Sequence, residues 1–472
     1  MSNADSVKES SSRSNAPSTT PDQIIQRIER IPFGAFHSRL VAILGAGMFL
    51  DAFDSYVISV VAVGITGFNI TDATIGFIIS ASYVGQLVGS LLFGYLSEIF
   101  GRKPAFIWTL GSFGLLSIVA AFSWNVESLI WARILQGFGI GALPPIASAM
   151  FSEFLRAHRR GGIGMGFQML YPIGAILSPL LGIVTFQLFG KELAWRVLFL
   201  VGGLPCLLAI VAHFMLPESP RWLAARGRAA EADDIVKTME AAATSAGKHL
   251  APLPPSVPAD TKPTRFGELF SLDYRRRTTL AWVQSFTAFF VVTAFTSFLP
   301  RLYTTIGGLP PSQAFALAVV FGVMELALLV VIAFTWDRTG RKPWFVGGYA
   351  AAVVGAGVAW AAFAIFHSTG WIVLATAGMF MALGTYVSVG GVYLYHPELF
   401  PTRMRSWATS TGRAVRSIAS IVAAILIGQI LAAGLGVSSV FAMFFVVALV
   451  GLIVMVWLGV ETKEAPLEKI AS

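Results

Sequence analysis

The sequence predicts an all-α membrane protein with twelve transmembrane helices in two pseudo-symmetric six-helix bundles. Three observations carry that expectation. The chain of 472 residues is 56% hydrophobic and only 12% charged, about half the charged share of a soluble domain, and its mean hydropathy is +0.73. Its apolar residues gather into runs of about 20, the length a helix needs to cross some 30 Å of hydrocarbon. Short charged motifs also occur twice, in the same order, in the two halves of the chain. A soluble protein of this length would need far more polar surface to cover its core. A membrane β-barrel would show short alternating segments, which are absent.

Taken in order, the first 37 residues are rich in Ser, Pro and Asn and have no apolar h-region. A cleaved signal peptide is therefore not expected, and the first hydrophobic helix serves as the insertion signal. Residues 1–37 are expected to form a disordered cytoplasmic tail; within it, PDQIIQRIERIPF reads equally as a short helix on the membrane surface or as a solvated lead-in. Spans follow at 38–64, 73–97, 104–123, 127–151, 162–187 and 195–216, making a first bundle over 38–216. The stretch 217–276 is a cytoplasmic loop in which AAEADDIVKTMEAAA reads as a helix and APLPPSVPAD as an irregular linker. A segment of about sixty residues with so little apolar content is an adornment, not a domain. The second bundle, 277–459, holds spans at 277–303, 312–336, 342–366, 370–396, 406–433 and 436–459, and 460–472 is a cytoplasmic tail. Lipid offers no partner for unpaired backbone groups, so each span must be helical.

Charge orients these spans. Of the 33 Lys and Arg residues, all but six fall in loops and tails on the side of the termini. Only Lys191, Arg196 and Arg301 lie in loops opposite, and Arg133, Arg413 and Arg416 lie inside spans. The excess places both termini and the central loop in the cytoplasm, and the chain in a plasma membrane, the inner membrane in a bacterium. It also explains the net charge of +8 as a topology signal, so no nucleic-acid partner is expected. The single cysteine, Cys206, excludes an intramolecular disulfide, a cysteine zinc site and haem attachment. The histidines at 37, 158, 213, 249, 367 and 396 are scattered, with no clustered nucleophile–base set. Neither cofactor nor metal is expected, and the chain does not read as an enzyme. With no Walker motif, ATP does not drive it.

The duplication lies in the loops. GYLSEIFGRKP at 94–104 returns as AFTWDRTGRKP at 333–343, setting Glu98 against Asp337. SEFLRAHRR at 152–160 returns as PELFPTRMR at 397–405, setting Glu153 against Glu398 and Arg160 against Arg405. PESPRWL at 217–223 has a weaker echo in VETKEAP at 460–466, Glu218 to Glu461. Each pair follows the second, fourth or sixth span of its half. Two such halves around a midplane cavity form a transporter architecture. Carboxylate and arginine four residues apart at a helix-to-loop junction, as in Glu98/Arg102 and Asp337/Arg341, can pair with each other, with Glu153/Arg160 or Glu398/Arg405, and with helix ends. Such clusters suit a cytoplasmic gate that locks in one state and parts in another; the plainer reading is that they only orient helices and loops.

Six ionisable residues sit inside spans: Asp51, Asp54, Glu325, Arg133, Arg413 and Arg416. An unpaired charge at mid-bilayer costs about 3 kcal/mol or more, so each should face protein or water. Asp51 and Asp54 are three apart on one helix face. Asp54 lies about 15 Å and Arg133 about 9 Å below the outer ends of their spans, a gap that an arginine side chain bridges. Contact with Arg133 would favour the charged form of Asp54, and loss of contact its protonated form. A permanent structural salt bridge is the alternative. Arg413 and Arg416, one turn apart, offer bidentate donors to a carboxylate or other anion, or else pair with Glu325 or interior carbonyls. Glu325 reads as a second proton site or a structural partner. Gly137-x-Gly139-x-Gly141 before Pro144-Pro145 lies within an apolar helix and reads as close packing and bending.

The motifs at 94–103 and 337–342, R-I-L-Q-G at Arg133 to Gly137, PESPRWL and P-E-L-F-P-T-R together resemble the major facilitator superfamily, in particular its sugar-porter and metabolite:proton symporter branches. Glu98 stands where that family usually has Asp, and Ile99 where it has a basic residue. FDSYVIS around Asp54 resembles the first helix of proton-coupled sugar porters, which implies a proton-carrying role for Asp54 adjusted by Arg133; D-A-F-D from Asp51 resembles the D-G-F-D of aromatic-acid:proton symporters. Gln168, before Tyr171-Pro172, resembles a sugar-porter binding glutamine, and Gln284 a second, although Ser285 replaces its usual partner. The tenth span offers Tyr386, Tyr393 and Tyr395 without the branch's tryptophan, and the arginines stand where sugar porters have Asn and Trp. The resemblance thus implies a proton-coupled transporter with Gln168 and Gln284 at its binding site, while the arginine pair and the aromatic residues suit import of a small organic anion, an aromatic or other carboxylate, with Tyr393, Arg413 and Arg416 as further binding residues. Its partners are substrate, protons and the lipid bilayer, and the functional unit is expected to be a monomer. A sugar or polyol:proton symporter, a drug:proton antiporter and a receptor-like sensor that moves no cargo stay open as alternatives.

Overall fold

The structure is a computed structural model that describes residues 20–65, 68, 70–156, 169–253, 266–367, 370–401 and 404–462, apart from the side chains of Asp337, Tyr393, Leu394, Arg405 and Ser406. The first half comprises α1 (Pro21–Arg30), α2 (Ala35–Gly64), α3 (Asp72–Phe100), α4 (Arg102–Ala121), α5 (Val126–Ile140), α6 (Leu143–Phe154), α7 (Leu170–Val201) and α8 (Leu204–Met215). Two loop helices follow, α9 (Pro220–Ala225) and α10 (Ala229–Ser245), and then a short 3-10 turn at Phe266–Phe270. The second half comprises α11 (Arg275–Thr305), α12 (Pro311–Thr339), α13 (Arg341–Ala364), α14 (Trp371–Glu398), α15 (Arg405–Ala432) and α16 (Gly436–Leu458).

Among the described residues, eleven segments are long and apolar enough to cross a membrane. One of them, Leu170–Met215, has 46 residues, about 69 Å of helix and therefore enough for two crossings. The chain turns inside it at Gly190, whose φ of 70° interrupts α7. That yields the twelve crossings expected from hydropathy, with the turn at a glycine rather than in a longer loop. The span expected at 127–151 is broken between α5 and α6, where Gly137 and Gly141 press against the α3 backbone so closely that a Cβ on either would overlap the carbonyls of Ser82 or Gln86. The glycines there serve packing and bending.

Within the first half α2 packs on α7, and α3 and α4 on α5; within the second, α13 packs on α14 and α16, and α11 on α15. The halves meet through α3 on α15, α7 on α12 and α2 on α11. The apolar core shows how. Away from the termini, one cluster runs through both halves, from Val57, Ile75 and Leu198 to Phe298, Phe315 and Ile427. On the side of the termini, each half has its own: one around Phe106, Leu143 and Phe154, the other around Phe345, Trp336 and Tyr395. Among the described residues the apolar core is thus continuous across the halves on the far side and divided on the tail side. On the far side Arg301 closes the seam, pairing with Asp72 at 2.7 Å and donating to the Ala62 carbonyl at 3.1 Å.

Two expectations need correction. The N-terminal tail is not disordered from Pro21 onward: Thr20 and Gln23 form a capping box that starts α1. Nor is the Ile24/Ile28 face of α1 turned to lipid. Its Ile24 and Ile28 are fully buried in the cluster that holds Trp222, Val236 and Met239 of α9 and α10. Arg27 and Arg30 clasp Glu240, at 2.7 and 2.6 Å, and Arg27 also pairs with Asp233. The loop helix expected around AAEADDIVKTMEAAA is α10; most of APLPPSVPAD lies outside the described residues.

This clasp titrates. Burial alone would raise the Glu240 carboxyl, but the hydrogen bonds and charges of Arg27 and Arg30 hold it below its usual 4.5. Asp233 is held low by Lys237 and Arg27. A carboxylate depressed in the folded state stabilises above its unfolded value, and that contribution is lost as pH falls through the folded one. The α1–α10 contact is therefore expected to hold at pH 7 and loosen progressively below about pH 4.5. Hydrogen exchange at residues 21–30 checks it: protection should fall on acidification, and Glu240→Gln should show the loosened behaviour already at pH 7.

Candidate functional site

A cavity opens between the halves near mid-membrane, and its walls come from both. Four of the six intramembrane charges line it: Asp51, Glu325, Arg413 and Arg416. Each is set by its helix. Asp51 comes from α2 and Glu325 from the middle of α12, while Arg413 and Arg416 project from one face of α15, a turn apart. Arg413 reaches across the seam to the carbonyl of Gly141, where α5 breaks and leaves that oxygen free of helix bonding. Arg416 donates to the Gly412 carbonyl at 3.3 Å and stands over the Phe289 ring at 5.2 Å, a cation–π arrangement. Tyr56, Tyr171 and Tyr386 also line the cavity. Tyr56 donates to Glu325 at 3.2 Å across the halves, and its ring meets Tyr171 edge-on at 6.3 Å.

Asp54 and Arg133 do pair, but away from the cavity lining. Nη1 of Arg133 reaches both oxygens of Asp54, at 3.1 and 3.2 Å. Gln136 completes a triangle, accepting from Arg133 at 2.7 Å and donating to Asp54 at 2.7 Å. Asp54 is 1% exposed, Arg133 2% and Gln136 0%, with the Phe199 ring beneath the guanidinium at 5.6 Å. Removing one member of so buried a pair costs about 3–5 kcal/mol, because its partner is left charged and dry. The two aspartates therefore part company: Asp54 turns into the first half, Asp51 toward the cavity.

The glutamine assignments fare differently. Gln284 is not among the cavity-lining residues; its Oε1 lies 3.2 Å from Nε2 of the buried His396. Gln168 and the Tyr393 side chain lie outside the described residues. Tyr395, on the other hand, donates to the Val460 carbonyl at the tail end of the second half.

On the tail side the repeated motifs fold into repeated structures. Arg102 pairs with Glu98 at 2.9 Å and Glu153 at 3.2 Å; Arg341 pairs with Glu398 at 3.1 Å. Glu218 accepts from the backbone N–H of Arg102 at 2.9 Å and of Lys103 at 3.2 Å, while Glu461 accepts from those of Arg341 at 2.9 Å and Lys342 at 3.0 Å. Each carboxylate thus caps the positive end of a helix. Burial raises the Glu218 carboxyl despite the three N–H groups that favour its charge. Gly101 and Gly340, at φ 108° and 93°, make the turn into these helices, and a Cβ on either would strike the capping carboxylate. Arg160 and the side chains of Asp337 and Arg405 lie outside the described residues. All the pairs named are within one half.

Sequence reasoning missed Gln136, Tyr56 and the Arg301–Asp72 seam. Gln136 had a signal, since R-I-L-Q sets it on Arg133's face. Tyr56 and Asp72 had none short of the tertiary structure.

Comparison with known proteins adds the following. The family described as sugar (and other) transporter matches residues 32–472. The niacin transporter NiaP of Acinetobacter baylyi is 30% identical over 448 residues, covering 95% of this chain and 99% of its own. The 4-hydroxybenzoate transporter PcaK of Pseudomonas aeruginosa is 30% identical over 412 residues, covering 84% and 88%. The inner membrane metabolite transport protein YdjE of Escherichia coli is 28% identical, covering 95% and 98%. Among solved structures, the partially occluded inward-open xylose transporter XylE from E. coli superposes with a TM-score of 0.71 at 19% identity, covering 92% of this chain and 100% of its own; at that identity the likeness is one of fold.

Proposed function

This chain belongs to the sugar (and other) transporter family of the major facilitator superfamily, and from that premise we propose that it imports a small aromatic carboxylate together with protons by alternating access. It is a multi-pass membrane protein and a secondary transporter of metabolites, not an enzyme. The finer reading is carried by one observation: two arginines on one helix face, Arg413 and Arg416, line a cavity whose wall also carries Tyr56, Tyr83, Tyr171 and Tyr386. Guanidinium forks bind carboxylates in the plane, and tyrosine rings pack against aromatic faces. Niacin and 4-hydroxybenzoate, named for two relatives, are both single rings with one carboxylate. The sugar reading has less support, because Gln284 turns to His396 rather than the cavity.

Asp54 carries the coupling proton, and Arg133 with Gln136 sets when. The closed triangle holds the carboxylate in a buried ion pair; a shift of α5 against α2 that opens it takes Arg133 and Gln136 away and frees the group to take the proton. Asp51, one turn earlier and open to the cavity, is the route by which a proton reaches the pair. The positive loops make the tail side cytoplasmic, so a core continuous on the far side and divided on the tail side describes an inward-facing state. Return to the outward state parts Arg301 from Asp72 and closes the tail side, where the two mirrored carboxylate–arginine sets act as the gate. That the cavity's described lining comes from one chain supports the monomer as the functional unit.

Purified full-length protein in proteoliposomes tests the reading. With the outside acid, labelled nicotinate or 4-hydroxybenzoate should accumulate above its equilibrium level and xylose should not. A receptor-like sensor would bind the carboxylates and move none. Accumulation of xylose instead would overturn the proposal.

A further inference from the structure

Opposite in chemistry to the arginines, Glu325 lines the same cavity. It is 6% exposed and makes no ion pair among the described residues. A lone carboxylate at mid-membrane costs about 3 kcal/mol or more, and in a cavity for bare anions it would also repel the cargo. A hydrogen-bond donor on the cargo would offset that cost. Its Oε2 is held by the Tyr56 hydroxyl at 3.2 Å, which fixes the group from the other half of the protein. Its Oε1 has no donor among the described residues. Tyr56 in turn stacks edge-on to Tyr171, so an aromatic wall lies beside the acid. The cavity therefore carries guanidiniums from α15 and carboxylates from α2 and α12, with the Tyr56 and Tyr171 rings beside Glu325.

We propose that Glu325, positioned by Tyr56, receives a hydrogen-bond donor on the end of the substrate remote from its carboxylate, so that the cavity selects aromatic acids bearing a distal hydroxyl or protonated ring nitrogen over those with none. This rests on the aromatic-carboxylate reading above. A site built to pair with a substrate donor discriminates strongly against an analogue lacking it, because the buried acceptor is left unmet. Tyr56 acts here through Glu325 and is a positioning residue.

Titration calorimetry of the purified full-length protein with benzoate, 4-hydroxybenzoate and 4-methoxybenzoate tests this; the last keeps the oxygen but has no donor. Wild type should bind 4-hydroxybenzoate at least tenfold more tightly than the other two. Glu325→Leu should cut that preference to below threefold, and Glu325→Gln, which keeps a neutral acceptor, should leave it in between. Equal affinities in the wild type, a preference for the methoxy compound, or a preference unchanged in either variant would overturn the proposal while leaving the carboxylate reading standing. Failure of wild type to bind any of the three would overturn both. Should Glu325→Leu fail to fold, the Glu325→Gln ratio decides by the same criterion.

Discussion

Asp54→Asn is expected to abolish uphill uptake while sparing exchange. A pH difference of one unit is worth about 1.4 kcal/mol per proton, or roughly tenfold accumulation for each proton coupled. Asn has the shape of the protonated acid and keeps one oxygen to accept from Arg133, so the helices can still rock. It cannot release a proton. Accumulation in the mutant should thus fall from about tenfold per unit of pH difference to the equilibrium level, while counterflow of labelled against unlabelled substrate stays within about threefold of wild type. Arg133→Gln leaves Asp54 buried beside Gln136 alone and is expected to lose both activities, together with stability on the scale of a broken buried pair, about 3–5 kcal/mol. Uphill uptake that survives Asp54→Asn would remove this residue from the coupling path.

The second large effect concerns the arginines. A hydrogen bond to a charged group is worth about 1.5–3 kcal/mol, so Arg416→Gln should weaken carboxylate binding roughly 10- to 150-fold. Lysine is expected to restore charge but not the fork, recovering only part of the loss. Arg413→Gln should weaken binding as well, and because Arg413 also reaches the Gly141 carbonyl in the other half, it should shift the balance between inward and outward states. Binding by calorimetry, alongside the accessibility of a cysteine introduced on the tail side, separates the two effects. Unchanged affinity in both variants would place the anion site elsewhere.

The fold was largely legible, for physical reasons that act locally. Hydrocarbon thickness sets helix length, so the spans read from hydropathy match helices such as α11 and α16 to within two residues at each end. The turn at Gly190 was harder to find, because one glycine replaces a loop and the apolar run does not pause. The weakest of the three repeats proved the most informative. Glu218 and Glu461 share little surrounding sequence, yet each caps the helix that follows a positive-φ glycine, at Gly101 and Gly340. What the echo preserved was the one carboxylate the helix end requires.

The site was legible in part. Asp54 and Arg133 could be matched by depth, since both spans run straight from a known boundary. That Asp51 faces the cavity and Asp54 does not was beyond reach: three residues apart on a helix is about 60° short of a full turn, and which flank meets α5 depends on packing. Gln284 was singled out by its resemblance to a sugar-porter glutamine, and that resemblance could not foretell its contact with His396, which comes from another helix. The amphipathic face of α1 was visible as well, although its pattern alone does not say whether protein or lipid covers Ile24 and Ile28.

The coupling itself is most directly tested by following pH inside proteoliposomes as substrate is added outside with no gradient imposed. Inward substrate flux through wild type should acidify the lumen, and Asp54→Asn should exchange substrate with no change in pH. If the wild-type protein fills the vesicles with aromatic acid while the lumen stays at constant pH, no proton travels with the cargo and the assignment of Asp54 is wrong.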